Sequence, residues 1–486
     1  MTQNLRLFLH FFSAALLLPI GTNPVRADSP APAASPAPAG SAGVEADHSP
    51  NIEDSKETFQ RELEAAEKSG DKARLWSALM GMAWFDHETG RSRESIELSN
   101  RALEIGSELN NPFMIGRSLD WLGWAYSSLG MYELAEQFYT NAVEVGAPGG
   151  KVQHVAVWGL GLQELGALHF KMGRLDQAKK ELEETTNFAR TNGIDVGVAE
   201  GSAHLAELAL AEGRLSDAET LAAEALAASL RCNCSPFNTA RAQLMVAKIA
   251  WGRAKIDPAR EPAARKLIEE ALNRSEQSGV RTIAAESRLL AAHSIPVEQF
   301  QKRYDLVREA FETLESLEQE RRGSAEAQLG RVLLDNDQTE MAEQYIKHGY
   351  KVNREMFRKI DNAYILGDLA TIRGLSNDRA KMYKDLEAAA KRAEKMGTLP
   401  TALEMEQRLA AELERDGYDS LALDWAVQGL KTAQKLIERE KDPAAQHPFR
   451  TAEAALMEQI VSLEVRLNPA EHKKSPAEQP AGANQS

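Results

Sequence analysis

Apolar residues recur every three to four positions along most of the chain, the spacing that lays one stripe along a helix. No stretch alternates apolar and polar residues as a half-buried strand does. The segment "DWLGWAYSSLGMYELAEQFYTNAVE" (120–144) shows the pattern in full. Two periodic halves flank Gly130, and this predicts two helices folded back on each other about a glycine turn. Similar units turn at Gly90, Gly130, Gly173 and Gly213, in steps of 40, 43 and 40 residues. Others turn at Asp337, near Asn377 and at Gly417, again in steps of 40. The 124 residues between Gly213 and Asp337 leave room for two more units. Residues 239–272, with a longer turn from Asp257 to Pro262, and residues 281–311, broken at Ile295 and Pro296, fit there less closely. A fixed period of this length marks a stacked repeat architecture.

Within each unit the same places carry small side chains. Seven residues before the turn stand Ala83, Gly123, Gly166, Ala206, Gly330, Ala370 and Ala410. Five residues after it stand Ser95, Ala135, Ala178, Ala218, Ala342 and Ala422, with Met382 as the exception. Two antiparallel helices joined by a short turn approach closely, and small residues permit it. Leu122, Leu165, Leu205, Leu329, Leu369 and Leu409 precede the first small position and fill the space between helices. Gly106, Gly146, Gly193, Gly279 and Gly397 stand where second helices are expected to end, the usual place for a glycine cap. Residues 54–69 read as a leading helix and 450–467 as a closing one, since terminal repeats need caps. The expected product is an elongated curved rod without a central active centre.

This pattern resembles the tetratricopeptide repeat family. Leu119, Leu122, Gly123, Tyr126, Gly130, Tyr132, Ala135, Tyr139 and Ala142 match its signature, with Pro148 soon after the second helix. The resemblance covers roughly residues 55–440 and is poorest between Gly213 and Asp337. It implies an all-α fold, a right-handed α-solenoid of about nine stacked antiparallel helix pairs. It also implies that the first helix of each unit lines a concave groove. Carried over position by position, the groove residues are Trp84, Trp124, Ala167, Glu207, Lys248 and Arg331, and one turn further His87, Ser127, Phe170, Leu210, Trp251 and Leu334. Trp84, His87, Trp124, Phe170, Lys248, Trp251 and Arg331 are the candidate partner-binding set, because aromatics in a concavity make typical hot spots. No recurring Lys, Asn and Arg clamp of the kind chaperone-binding members use stands at these places.

The N-terminus changes the picture of where such a scaffold would act. Arg6 precedes the apolar run "LFLHFFSAALLLPIG", and "PVRA" ends at Ala27. A basic start, a short apolar core and a small-x-small ending predict a cleaved secretory signal over 1–27. The run is too short to span a bilayer comfortably, and no transmembrane candidate follows it. Residues 28–50 are a Pro/Ala-rich linker with little to bury. The solenoid is expected over 51–440, a capping helix over 441–467 and a disordered tail over 468–486. The predicted address is secreted or periplasmic.

Charge and chemistry narrow the function further. The formal charge of −15 disfavours nucleic acid as a partner. Cys232 and Cys234 in "RCNCSPFN" leave three readings open: a local structural feature, a tight disulfide, or a metal or redox role. "GAPGGKV" (146–152) fails as a phosphate loop, because Val152 stands where Ser or Thr should hold magnesium and a helix precedes it. "GLGLQELG" (159–166) misplaces its third glycine and falls inside a helix. No His-Glu-x-x-His or Gly-x-Ser-x-Gly occurs, and His169 and His204 are isolated on helices. Catalytic residues, cofactors and metal ligands are therefore expected to be none. The leading expectation is a non-enzymatic scaffold that binds a protein or peptide along the groove. The alternative is a sensory module whose output lies on a separate protein.

Overall fold

The structure is a computed structural model that describes residues 56–147, 154–232, 234, 236–356 and 358–468. The signal, the linker and most of the tail expected from the sequence lie outside the described residues. Lys56–Ser69 (α1) leads. The first four pairs are Lys72–Glu88 with Ser92–Glu108 (α2, α3), Pro112–Ser128 with Tyr132–Gly146 (α4, α5), Val155–Lys171 with Leu175–Asn192 (α6, α7), and Asp195–Ala211 with Leu215–Arg231 (α8, α9). Pro236–Ile256 and Glu261–Gln277 (α10, α11) follow, then Arg281–Ser294 and Phe300–Ser316 (α12, α13). The last pairs are Arg322–Leu334 with Thr339–Glu355 (α14, α15), Lys359–Leu375 with Arg379–Met396 (α16, α17), and Leu399–Arg415 with Asp419–Arg439 (α18, α19). Pro443–Leu467 (α20) closes the array. Among the described residues there is no strand, and none of the helices is long and apolar enough to cross a membrane.

Each turn falls where the repeat places it. Gly90, Gly130, Gly173, Gly213 and Gly417 adopt positive φ, and so do Asp337 and Asn377, the two non-glycine turns. Asp and Asn tolerate this left-handed conformation better than bulkier side chains. Ala83, Ala206, Ala370, Ala410, Ala135, Ala178, Ala218, Ala342 and Ala422 are buried at the helix crossings. A Cβ added to Gly123 would stand 2.6 Å from the Tyr139 ring. Trp121, Leu122 and Tyr139 are core, and Tyr126 stacks half-buried on Phe138 at 5.3 Å. The quoted segment is one brick of an array.

The expected glycine caps hold in part. Gly193, Gly279 and Gly397 take positive φ at helix ends. Gly106 does not: it lies inside α3, and Asn110 makes the turn with φ 46°. A Cβ on Gly106 would meet the Ile115 backbone nitrogen at 3.0 Å, so its role is close approach of α3 and α4. Cys232 and Cys234 are joined in a disulfide at the end of α9, with Cα atoms 5.1 Å apart.

The open rod expected from the sequence is corrected by the structure. The array coils into a superhelix whose successive turns touch. Leu317, Met356, Met396 and Leu436, at the ends of α13, α15, α17 and α19, are buried against the turns at Gly90, Gly130, Gly173 and Gly213 respectively. Polar contacts reinforce the seam across 224 to 227 residues of chain: Ser216 N–H donates to Glu440 at 3.1 Å, and Gln319 reaches Ser92 at 3.5 Å. Lys441 pairs with Asp217 at 2.9 Å and Arg253 with Asp442 at 2.6 Å. Burial of the four apolar side chains favours the closed seam. The first helices therefore surround a lumen.

Candidate ligand-binding lumen

The first helices of six successive repeats, α2, α4, α6, α8, α10 and α12, contribute the wall of a cavity of about 120 Å³ at the centre of the superhelix. The segment that joins α13 to α14 supplies Gln319, Glu320 and Arg321, and Arg358 stands just before α16. These last residues belong to the second superhelical turn, so the cavity is complete only when the coil is closed.

One side of the wall is aromatic. His87 lies over Trp124 with ring centroids 3.9 Å apart, and Trp124 meets Phe237 edge-on at 5.8 Å. Phe170 stands in the same wall. Burial, helped by the Lys171 charge, lowers the His87 imidazole to about 3, so the ring is neutral near neutral pH. Its Nδ1 has no hydrogen-bond partner, nor has Oε2 of the neighbouring Glu88, which is 2% exposed. Burial, with the Glu200 charge behind it, pushes the Glu88 carboxyl well up. Glu200 accepts from Gln163 and Asn238, both at 2.9 Å. Arg241 donates to Nδ1 of His204 at 3.0 Å, a ring that burial keeps neutral, and its guanidinium lies 6.0 Å from the centre of Phe237.

The other side is a charge network. Lys248 reaches Glu286 at 3.3 Å, and Arg321 pairs with the same carboxylate. Lys171 and Arg358 share Glu320 at 3.0 and 3.3 Å, and Tyr132 donates its hydroxyl to that carboxylate. Burial alone would raise both carboxyls. The charges of Arg321 and Lys248 hold Glu286 well below the usual range, and those of Lys171 and Arg358 hold Glu320 below it.

The structure brings together four of the seven candidate residues: His87, Trp124, Phe170 and Lys248 line the lumen, and Glu207 lies beside them. The other three are placed elsewhere. Trp84 packs on Phe59 at 5.8 Å because α1 covers that end of the array. Trp251 lies under the Arg265 guanidinium at 5.4 Å, and Arg331 is paired with Asp368. Phe237, Arg241, Glu286, Glu320, Arg321 and Arg358 were missed by the sequence reading. Most of them lie where the repeat signal is weak or between repeats. His169 is buried between Glu181 at 2.6 Å and Glu136 at 3.3 Å, a packed role. No group of three or more His, Cys, Asp or Glu suited to a metal occurs among the described residues.

Residues 116–145 match a tetratricopeptide repeat model. No curated protein matches the chain. A Rap protein solved in complex with Competence and Sporulation Factor superposes with a TM-score of 0.56 at 13% identity, covering 75% of this chain and 99% of that one. The apo form of RapI gives 0.42 at 14% identity over 57% and 98% of the two chains. The human IFIT1 dimer with PPP-AAAA gives 0.40 at 17% identity over 85% and 86%. The first of these shares the fold. Repeat, turn chemistry and superposition agree: the chain is an α-solenoid built of tetratricopeptide-like repeats.

Proposed function

We propose that the protein is an exported, non-enzymatic scaffold that takes up a short peptide or peptide-sized ligand inside its superhelix. The observation that carries this reading is the lumen, walled by six first helices and by the loop of the second turn. A large folded partner cannot lie along a groove that has closed, but an extended chain can enter a lumen. Unpartnered buried polar atoms on His87 and Glu88 support a ligand there, since such groups are costly to leave unsatisfied. The Rap protein in the comparison was solved with Competence and Sporulation Factor, which shares the idea of a ligand-holding helical repeat. Export rests on the N-terminal sequence alone.

The test is site-specific photocrosslinking in the native host from Phe170, followed by mass spectrometry. A cross-link from Phe170 to one short chain, absent from a probe at exposed Leu230 on α9, supports the reading. Equal yields from both positions refute it. N-terminal sequencing of the mature protein tests export separately, with a start at Asp28 expected.

The enclosure also favours the second reading, a sensor with a separate output protein. A ligand that completes a closed coil changes its stability, and that change can be read elsewhere.

A further inference from the structure

The lumen wall carries five basic side chains against four carboxylates, in a chain whose net charge is −15. The imbalance is local. Glu286 serves both Lys248 and Arg321, and Glu320 serves both Lys171 and Arg358. Each of these two carboxylates meets two cations, and Asp361, outside the lining, shares Arg358 and faces Arg321. Arg358, only 4% exposed, gives Nε to Asp361 at 2.6 Å. Its Nη1 stands 3.3 Å from Glu320 as a charge contact but makes no hydrogen bond, so one buried donor is unused. Arg241 has only a neutral imidazole as its hydrogen-bond partner. Of the remaining acids, Glu88 has its carboxyl pushed up by burial, while Glu207 faces Arg321. Lys248 with Arg321, and Lys171 with Arg358, hold the buried Glu286 and Glu320 carboxyls below their usual range, which shows that this side of the cavity accommodates a carboxylate.

We propose that this side of the lumen binds a carboxylate of the ligand, between Lys248 of the first superhelical turn and Arg321 and Arg358 of the second, while an apolar group of the same ligand rests on Trp124 and Phe237. It rests on the enclosed-ligand reading and specifies its chemistry. A carboxylate is the group these cations are already arranged to bridge, as Glu286 and Glu320 show. A cavity of about 120 Å³ is close to the roughly 150 Å³ that admits benzene, so one ring-sized group fits beside it. Because its cations come from both turns, the bound carboxylate ties the coil shut. Two sources share this chemistry, a free aromatic acid and the acidic end of a peptide.

The test titrates the whole mature protein, followed by tryptophan fluorescence with Trp124 as reporter. The probes are 3-phenylpropanoate and its uncharged analogue 3-phenylpropanamide. An alanine-rich pentapeptide ending in phenylalanine, as free acid and as amide, forms the second pair. The acid of at least one pair is expected to bind more tightly than its amide by on the order of tenfold, as a hydrogen bond to a charged group implies. Lys248→Met brings the affinities of acid and amide together. Added chloride lowers the preference of the unmodified protein, a measurement that needs no variant. Preference in the first pair alone identifies a free acid, and in the peptide pair a chain end. Equal binding of acid and amide overturns the carboxylate assignment and leaves the enclosed-ligand reading standing. Silence from all four probes overturns both.

Discussion

Glu320 is the best place to test whether the superhelix is closed in solution. Its N–H donates to the Ser128 carbonyl at 2.7 Å, across the seam between turns. Its carboxylate accepts from Tyr132, also across the seam, and sits between Lys171 and Arg358 at 3.0 and 3.3 Å. Glu320→Ala leaves two cations facing each other beside a buried tyrosine. Removing one partner of a buried ion pair costs about 3–5 kcal/mol, because the remaining charge stays uncompensated. Glu320→Gln keeps the shape and one acceptor and is expected to cost about 1.5–3 kcal/mol, the worth of hydrogen bonds to charged groups. In an open rod this residue would be solvated, and the cost would fall to that of an exposed pair, about 0–1 kcal/mol.

The two cases are separated by urea unfolding together with native-state hydrogen exchange. Repeat arrays can open locally, so the amides of α5 and of the segment 317–321 report the seam itself. Loss of protection there, with α18 unaffected and a larger radius of gyration by solution scattering, is the expected result. The pH dependence has a definite sign. The folded Glu320 carboxyl is depressed, so its contribution is fully present above the ordinary glutamate value of about 4.3 and fades as pH falls through the lower folded value. If Glu320→Ala unfolds within about 1 kcal/mol of the unmodified protein, the closed seam is wrong.

Other substitutions probe the remaining levels of the fold. Gly213→Ala forces a side chain onto a residue at φ 83° and toward Leu436, and should lower stability by about 2–4 kcal/mol in urea melts. Ala135→Leu overpacks the α4–α5 crossing at a fully buried site and should cost about 1–3 kcal/mol by the same assay. Burial raises the Glu164 carboxyl to about 8, so the folded chain holds a proton that the unfolded chain releases above about 4.3, and stability falls as pH rises through that window. Glu164→Gln should therefore gain in melting temperature, relative to the unmodified protein, between about pH 5 and pH 8. The Cys232–Cys234 bridge closes only a three-residue loop, so its reduction should cost about 1–2 kcal/mol, read as a small shift in melting with dithiothreitol.

The repeat was legible because its determinants are local. A turn needs positive φ at one residue, a helix crossing needs a small side chain at two, and both recur at fixed offsets. Gly130, Ala135 and Gly123 illustrate this: each is explained by its own helix pair. The lumen was only half legible for the converse reason. Which face of a first helix looks inward depends on the neighbouring repeats, so Trp124 reaches the cavity while Trp84, at the equivalent place one repeat earlier, is covered by α1. Glu320, Arg321 and Arg358 carry no repeat signal at all. They matter because the coil returns after some 225 residues and lays the loop from α13 to α14 on the turn at Gly90, with Glu320 reaching Ser128 of α4.

What sets that return is a ladder of polar contacts between successive first helices. Gln163 donates to Glu200 and Arg241 to His204 across 37 residues, Asn238 to Glu200 and Lys248 to Glu286 across 38, and Arg408 to Thr371 across 37. Each bond joins nearly equivalent places in adjacent repeats on the concave side, while small residues fix the approach within each pair. Two such constraints leave little freedom in the rotation from one repeat to the next. The rotation then accumulates over five repeats before the seam forms, so a slight error in each would separate Gly213 from Leu436. Four seam contacts in register, from Gly90 with Leu317 to Gly213 with Leu436, require that the per-repeat rotation is held nearly constant through the middle of the array. That middle includes α10–α13, the two units whose sequences match the repeat least. There the ladder through Asn238, Lys248 and Glu286 carries the geometry that the small-residue pattern no longer dictates, and the same side chains line the lumen or hold its lining. The curvature of the coil and the chemistry of its interior are thus set by one set of residues, and a ligand that engages Lys248 or Arg321 acts on both at once.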